Sequence, residues 1–284
     1  MLIDLWRREV LEEGRQDIVP DEGRMRRLLA RFDWDTKSRV VDDGDSLAGS
    51  VLVMSRPSPD GVLATVYAAG RGDTYGEMVR WGVRFSRAAG ASIVQVTVAK
   101  GHGEELEGAG LKPVRPWWRM DRSVHDGLPD AVAVAGYQLA DASTIATSTW
   151  ADLFNRTFAD HWRFAPRDGE EIIAGKTREL CLIAVTSTAS SPAAITLGEV
   201  ERYADDPRPQ PVGLVTSVGT LPAHRRRGLA AWLVAEVLHR LRSAGARHAS
   251  LYVDGNSPMH AYDVYRRLGF EVTFEAEVWE ATYP

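Results

Sequence analysis

The chain has 284 residues, 44% hydrophobic and 26% charged, with 34 Lys and Arg against 39 Asp and Glu for a net charge of −5. That length admits one large domain or two of ordinary size. The acidic balance argues against a dedicated nucleic-acid binder, though a local basic patch can still hold a small anion. The single cysteine, Cys181, excludes an internal disulfide or a cysteine metal cluster and suits a reducing cytoplasm.

In chain order, the opening MLIDLWRREVLEEG is charged throughout and lacks the apolar centre of a signal peptide. No segment approaches the ~18–20 apolar residues of a membrane span. SRVVDD (38–43), SLAGSVLVMS (46–55) and GVLATVYAAG (61–70) read as consecutive strands between Gly, Pro and Asp. YGEMVRWGVRFSRAAG (75–90) reads as a helix that stops at Gly90, where a helix end favours positive φ. SRAAGASIVQVTV (86–98) aligns without a gap on LRSAGARHASLYV (241–253). Each copy is a helix end, an Ala-Gly stop and an apolar strand, followed by a short segment closing on Gly and an apolar residue. This order predicts a duplicated unit, divided at GLPDAVAV (127–134) into domains 1–130 and 131–284.

In the second half, ADLFNRTFADHWRF (151–164) is an amphipathic helix running into an aromatic segment. ELCLIAVTS, AAITLGEVER and PVGLVTSVGT are predicted strands, joined by loops at SSP (190–192) and DDPRPQP (205–211). Residues 228–243 form a predicted helix, with Ala230, Val234, Val237 and Leu241 at helical spacing. Cys181 falls in an apolar strand and is expected to be buried.

The stretch PAHRRRGLAAWLV (222–234) places three arginines and a glycine at the start of that helix. The first turn of a helix has unpaired N–H groups and the positive end of its dipole, which suit a phosphate. Gly228 lets the backbone approach such a group, and guanidinium groups add charge-assisted bonds. The alternative is a solvated arginine cluster beside an ordinary helix. Neither a Walker loop nor a G-x-G-x-x-G turn is present.

Arg225-Arg226-Arg227-Gly228-Leu229-Ala230 matches Q/R-x-x-G-x-G/A, and Tyr265, Gly269 and Phe270 match Y-x-x-x-G-F. With strand, loop, helix, strand and short helix in this order, residues of roughly 140–284 resemble the GCN5-related N-acetyltransferase (GNAT) superfamily. The duplicated layout, with a clean motif only in the second half, is similar to tandem GNAT proteins. The resemblance implies an α/β (α+β) fold of two GNAT-like domains, each a mixed, mostly antiparallel sheet flanked by helices.

It further implies acetyl-CoA as acyl donor. Main-chain groups of Val218, Gly219 and Thr220 would bond the pantetheine arm, and Arg225, Arg226, Arg227, Gly228, Leu229, Ala230 and Ala231 would hold the pyrophosphate. Tyr265 would protonate the departing thiolate, the alternative being a ring packed under the short helix. Asn256 or Ser257 would contact the cofactor. Glu199 is preferred over Glu201 as general base. Asn155, Asp160, His161 and Trp162 would shape the acceptor pocket, with no metal expected.

The first half carries Arg71, Asp73 and Glu77 in RGDTYGEM, and its Gly110-Leu111 has no tyrosine before it at the spacing of the motif, which marks it as degenerate and non-catalytic. The expected activity is direct acetyl transfer to a primary amine of a small molecule. Two alternatives are a non-catalytic acyl-CoA-binding or regulatory module and an enzyme acting on a protein or peptide amine. The expected protein is cytoplasmic, a monomer or homodimer, without nucleic-acid or membrane partners.

Overall fold

A computed structural model describes residues 1–12, 26, 30, 33–140, 144–201 and 211–284. The loop expected at 205–211 therefore lies, apart from its last residue, outside the described residues. The helices are α1 (Leu2–Glu12), α2 (Asp73–Ala88), α3 (Glu104–Gly108), α4 (Thr147–Phe158), α5 (Gly169–Ile173), α6 (Leu229–Ser243) and α7 (Ala261–Arg267). The strands are β1 (Ser38–Asp42), β2 (Leu47–Ser58), β3 (Gly61–Gly70), β4 (Ile93–Ala99), β5 (Lys112–Ser123), β6 (Tyr137–Leu139), β7 (Leu182–Thr186), β8 (Pro192–Glu201), β9 (Val212–Thr220), β10 (His248–Asp254) and β11 (Glu271–Thr282).

The sequence repeat is a structural repeat. Gly90 and Gly245 follow α2 and α6 with φ of +84° each, the left-handed turn that releases a helix into a strand. Gly110 and Gly269 repeat this after α3 and α7, at +84° and +83°. In each copy the long helix links two parallel strands that pair only at their beginnings. Leu63–Thr65 of β3 pair with Ile93–Gln95 of β4, and Val212–Val215 of β9 pair with His248–Leu251 of β10.

The chain folds as two compact units. Unit 1 holds Met1–Trp117 and Phe274–Pro284; unit 2 holds Trp118–Glu201 and residues 211–273. The division thus falls earlier than 130/131, and unit 1 is completed by the end of the chain. There Ala276–Thr282 of β11 pair antiparallel with Ala99–Ile93 of β4. The Gly-Pro punctuation after residue 126 is a fastened loop of unit 2. Arg122, buried among main-chain oxygens, donates to Ser123 at 2.7 Å, to Asp126 at 2.9 Å and to the Leu268 carbonyl at the end of α7.

In unit 1 the strand order is β1-β2-β3-β4-β11, and Val51, Val53, Ala64 and Val66 pack on Met78, Val79 and Val83 of α2. In unit 2 the order is β5-β10-β9-β8-β7-β6. Alternation of side chains along a strand separates its two faces. Leu182, Ala184 and Val215 pack under α6, whereas Cys181, Ile183, Val185, Ile195 and Leu197 meet Trp150, Leu153, Phe154 and Ile172 of α4 and α5.

Candidate functional site

β9 loses its parallel partner after Val215 but runs on to Thr220, so its far half is bonded only to β8. Within it, Leu197 faces Ser217 and Gly198 faces Val215, which leaves Thr216 as an extra residue. Such a bulge sharpens the local bend of the strand. Leu221 N–H donates to the Ala193 carbonyl at 2.9 Å, continuing a ladder in which residues 217, 219 and 221 bond β8. Main-chain groups of Val218 and Thr220 therefore face the unpaired side. The same strand explains Gly219. A Cβ there would lie 2.4 Å from Thr157 Oγ1 and 3.0 Å from Phe158 Cε2, so the glycine admits α4 against β9.

β9 leads through Pro222–His224, a single 3₁₀ turn, into a loop that opens α6. Gly228 takes φ +89° at the N-cap, and no side chain caps the helix among the described residues. Its first N–H groups, on Gly228, Leu229, Ala230 and Ala231, are those a helix leaves without internal acceptors. The Leu229 side chain is buried in the core, so its contribution to such a cradle is its main chain.

The three arginines diverge. Arg225 donates through Nη1 and Nη2 to both oxygens of Asp160, at 2.5 and 2.9 Å, and through Nε to the Thr220 carbonyl at 3.0 Å. That pairing holds the Asp160 carboxyl below the ordinary aspartate value of 3.8. Arg227 donates to the Tyr137 hydroxyl at 3.1 Å and to the Ala223 carbonyl at 3.3 Å. Arg226 is exposed, has φ +60°, and makes no side-chain hydrogen bond or ion pair among the described residues. A left-handed conformation costs a residue with a Cβ roughly 1–2 kcal/mol. Of the three arginines, Arg226 is the one whose guanidinium has no partner among the described residues.

Tyr265 is the buried residue of α7, with its ring edge-on to Phe270 at 6.2 Å. Its hydroxyl has no hydrogen-bond partner among the described residues, and burial pushes the phenol far above its ordinary value. It is therefore a proton carrier rather than a phenolate at neutral pH. In the turn after β10, Asn256 N–H donates to Asp254 Oδ1 at 2.8 Å, which leaves its exposed carboxamide without a partner among the described residues. Ser257 Oγ instead accepts from Met259 N–H at 3.4 Å. Cys181 is buried, and burial pushes its thiol up, so no thiolate is on offer.

The residues expected on the acceptor side divide into fastenings and open groups. Asn155 accepts from the Arg167 N–H at 3.0 Å and donates to the Arg167 carbonyl at 2.8 Å, clamping the chain ahead of α5. Asp160 is committed to Arg225. Glu199 is nearly buried and accepts from the ammonium of Lys176, which occupies one of its oxygens. The side chain of Glu201 lies outside the described residues. His161 packs edge-on against Phe158 at 4.7 Å while its residue stays exposed, and partial loss of solvent around the ring lowers its pKa against the opposing pull of Asp160. Trp162 carries the Arg163 guanidinium 5.8 Å from its ring centre. Tyr137, His224 and Lys176 were not foreseen. Among the described residues, no group of three or more His, Cys, Asp or Glu is arranged to hold a metal ion.

The same place in unit 1 is closed. Only Arg71 and Gly72 separate β3 from α2, where unit 2 has residues 221–228. The Gly70 N–H donates to Glu9 at 3.0 Å, and a Cβ on Gly76 would lie 2.0 Å from a Glu105 carboxylate oxygen.

The family described as FR47-like protein matches residues 195–280, which span β9, the arginine loop, α6 and Tyr265. A GCN5-related N-acetyltransferase from Sphaerobacter thermophilus superposes with a TM-score of 0.78 at 21% identity, over 99% of this chain and 91% of that one. The chain shares the fold of that protein. A tandem GNAT protein from the clavulanic acid biosynthesis pathway superposes with a TM-score of 0.63 at 18% identity, over 89% and 86% of the two chains. A GCN5-related N-acetyltransferase from Kribbella flavida gives 0.53 at 21% identity, over 94% and 98%. No curated protein matches the chain by sequence.

Proposed function

We propose that unit 2 is an acetyl-CoA-dependent N-acyltransferase acting by direct transfer on a primary amine of a small molecule. The observation that carries this reading is the unpaired edge of β9 leading straight into an uncapped helix start that presents one uncommitted arginine. Val218 offers its main-chain groups, and Thr220 its N–H beside a carbonyl that accepts from Arg225, to an extended amide-bearing arm, and residues 226–231 offer N–H groups and the Arg226 cation to a pyrophosphate. Asn256 has a free carboxamide for a further contact.

The bound donor supplies a thioester carbon. The amine nitrogen bonds to that carbon, the carbon–sulfur bond breaks, and sulfur leaves with the electron pair. The Tyr265 phenol, protonated at neutral pH as any tyrosine is, would supply the proton that sulfur needs, and the burial that raises its pKa makes this transfer depend on the thiolate being held close. The amine proton has to leave as well. Lys176 occupies Glu199, which turns the reading toward His161, whose lowered pKa keeps its imidazole in the base form. Asn155 and the Asp160–Arg225 pair shape the acceptor side by fixing the end of α4 rather than by touching the amine. Unit 1, with Glu9 on the main chain that would meet a donor, is read as non-catalytic.

One observation favours a non-catalytic acyl-CoA-binding module instead, namely the commitment of Glu199 to Lys176. Release of free CoA thiol during incubation with acetyl-CoA and a panel of small amines, amino sugars and peptides separates the two. Turnover with a small amine supports the proposal. Tight binding of acetyl-CoA without thiol release across the panel favours the module.

A further inference from the structure

Tyr137 opens β6 and is buried, with its ring in the cluster formed under α6. Its single polar atom emerges at the loop between β9 and α6. The hydroxyl oxygen accepts from Arg227 Nη1 at 3.1 Å and stands 2.8 Å from His224 Nδ1, with the His224 ring edge-on at 5.7 Å. Because a guanidinium only donates, the phenol proton is left for the imidazole nitrogen. One oxygen thus ties the residue before Arg225 to the residue after Arg226. The Tyr137 N–H donates to the Val134 carbonyl at 3.0 Å, and Val134 packs against the same cluster. The tied interval contains Arg226 in its left-handed conformation.

Resting on the proposed donor site, we infer that Tyr137 is a positioning residue, whose hydroxyl holds the loop in the form that presents Arg226 and the N–H groups of α6 to the pyrophosphate. A loop already held in its bound form loses less conformational freedom when the anion arrives. Removing the hydroxyl leaves the ring in the core and the Arg227–Ala223 bond in place but breaks the tie from Tyr137 to His224 and Arg227, so the loss appears in donor affinity rather than in folding.

The test is a double-mutant cycle on the full chain, with acetyl-CoA as the probe and calorimetry as the readout. Tyr137→Phe is expected to weaken binding about tenfold, with His224→Ala giving a similar loss if the first variant folds poorly. In an Arg226→Ala background, Tyr137→Phe is expected to cost less than it does in the wild type, about threefold or under, because one of the groups it positions, the Arg226 guanidinium, is gone. An unchanged Kd, a fall in melting temperature without loss of affinity, or equal losses in both backgrounds overturns the inference. Wild-type protein that does not bind acetyl-CoA removes the donor-site reading and this inference with it. Wild-type binding that survives both Tyr137→Phe and His224→Ala removes this inference alone.

Discussion

Replacing Tyr265 by Phe separates a proton donor from a packed ring. The ring is buried and edge-on to Phe270, so phenylalanine fills the same volume with the same contact. No partner of the hydroxyl is orphaned among the described residues, so the change in folding stability is expected to stay within about 0.5 kcal/mol. Acid catalysis by a positioned side chain contributes roughly 10²–10⁴-fold, or about 3–5 kcal/mol of barrier. Turnover should therefore fall at least about a hundredfold, while the Kd for acetyl-CoA stays within about twofold. Thiol release at saturating acetyl-CoA, with the best amine of the panel, gives the first quantity. Calorimetry gives the second, and thermal melting checks the fold. Because burial disfavours the phenolate, raising the pH to about 9 should not remove this proton donor. Equal losses in turnover and affinity, or turnover left intact, would refute the acid role.

Arg226→Ala should weaken acetyl-CoA binding about tenfold at low salt, and by less as ionic strength rises; calorimetry at two salt concentrations checks this. Gly219→Ala places a Cβ 2.4 Å from Thr157 Oγ1, which is itself tied to the Phe154 carbonyl at 3.0 Å. The expected cost is about 1–3 kcal/mol in urea unfolding, with donor affinity falling as α4 is displaced from β9. The Asp160 carboxyl is held below 3.8 by Arg225, so the folded state binds its proton less readily than the unfolded chain does. The stability that Asp160→Asn removes should be present above pH 3.8 and vanish as the pH falls through the folded value, read as melting temperature against pH. His161, lowered from 6.5, should keep turnover on the acid side to a lower pH than a free histidine would. A pH–rate profile unchanged by His161→Gln would count against its role as base.

Much of the fold was legible because its signals are local. Gly90, Gly110, Gly245 and Gly269 stand at left-handed turns that few residue types tolerate, and the apolar spacing of 228–243 carries the buried face of α6. The division between the units was less legible. A Gly-Pro pair looks the same whether it is a linker or a loop gripped by Arg122, and nothing local says that the last strand completes unit 1.

The arginine run shows the same limit within the site. Its residue types announce an anion cradle, yet the partner of Arg225 lies 65 residues away and that of Arg227 lies 90 away. The pairing of Glu199 with Lys176 across 23 residues likewise withdraws a carboxylate that a strand pattern leaves open. Tertiary packing makes those choices, and it divides three like residues into a strut for α4, a tie for the loop and a free cation. Arg226 is the one that is neither paired nor relaxed. Its φ of +60° is a conformation glycine adopts at less cost, and its charge satisfies no partner among the described residues. Local consistency between sequence and structure fails at that residue, which stands just ahead of a helix start that no side chain caps among the described residues.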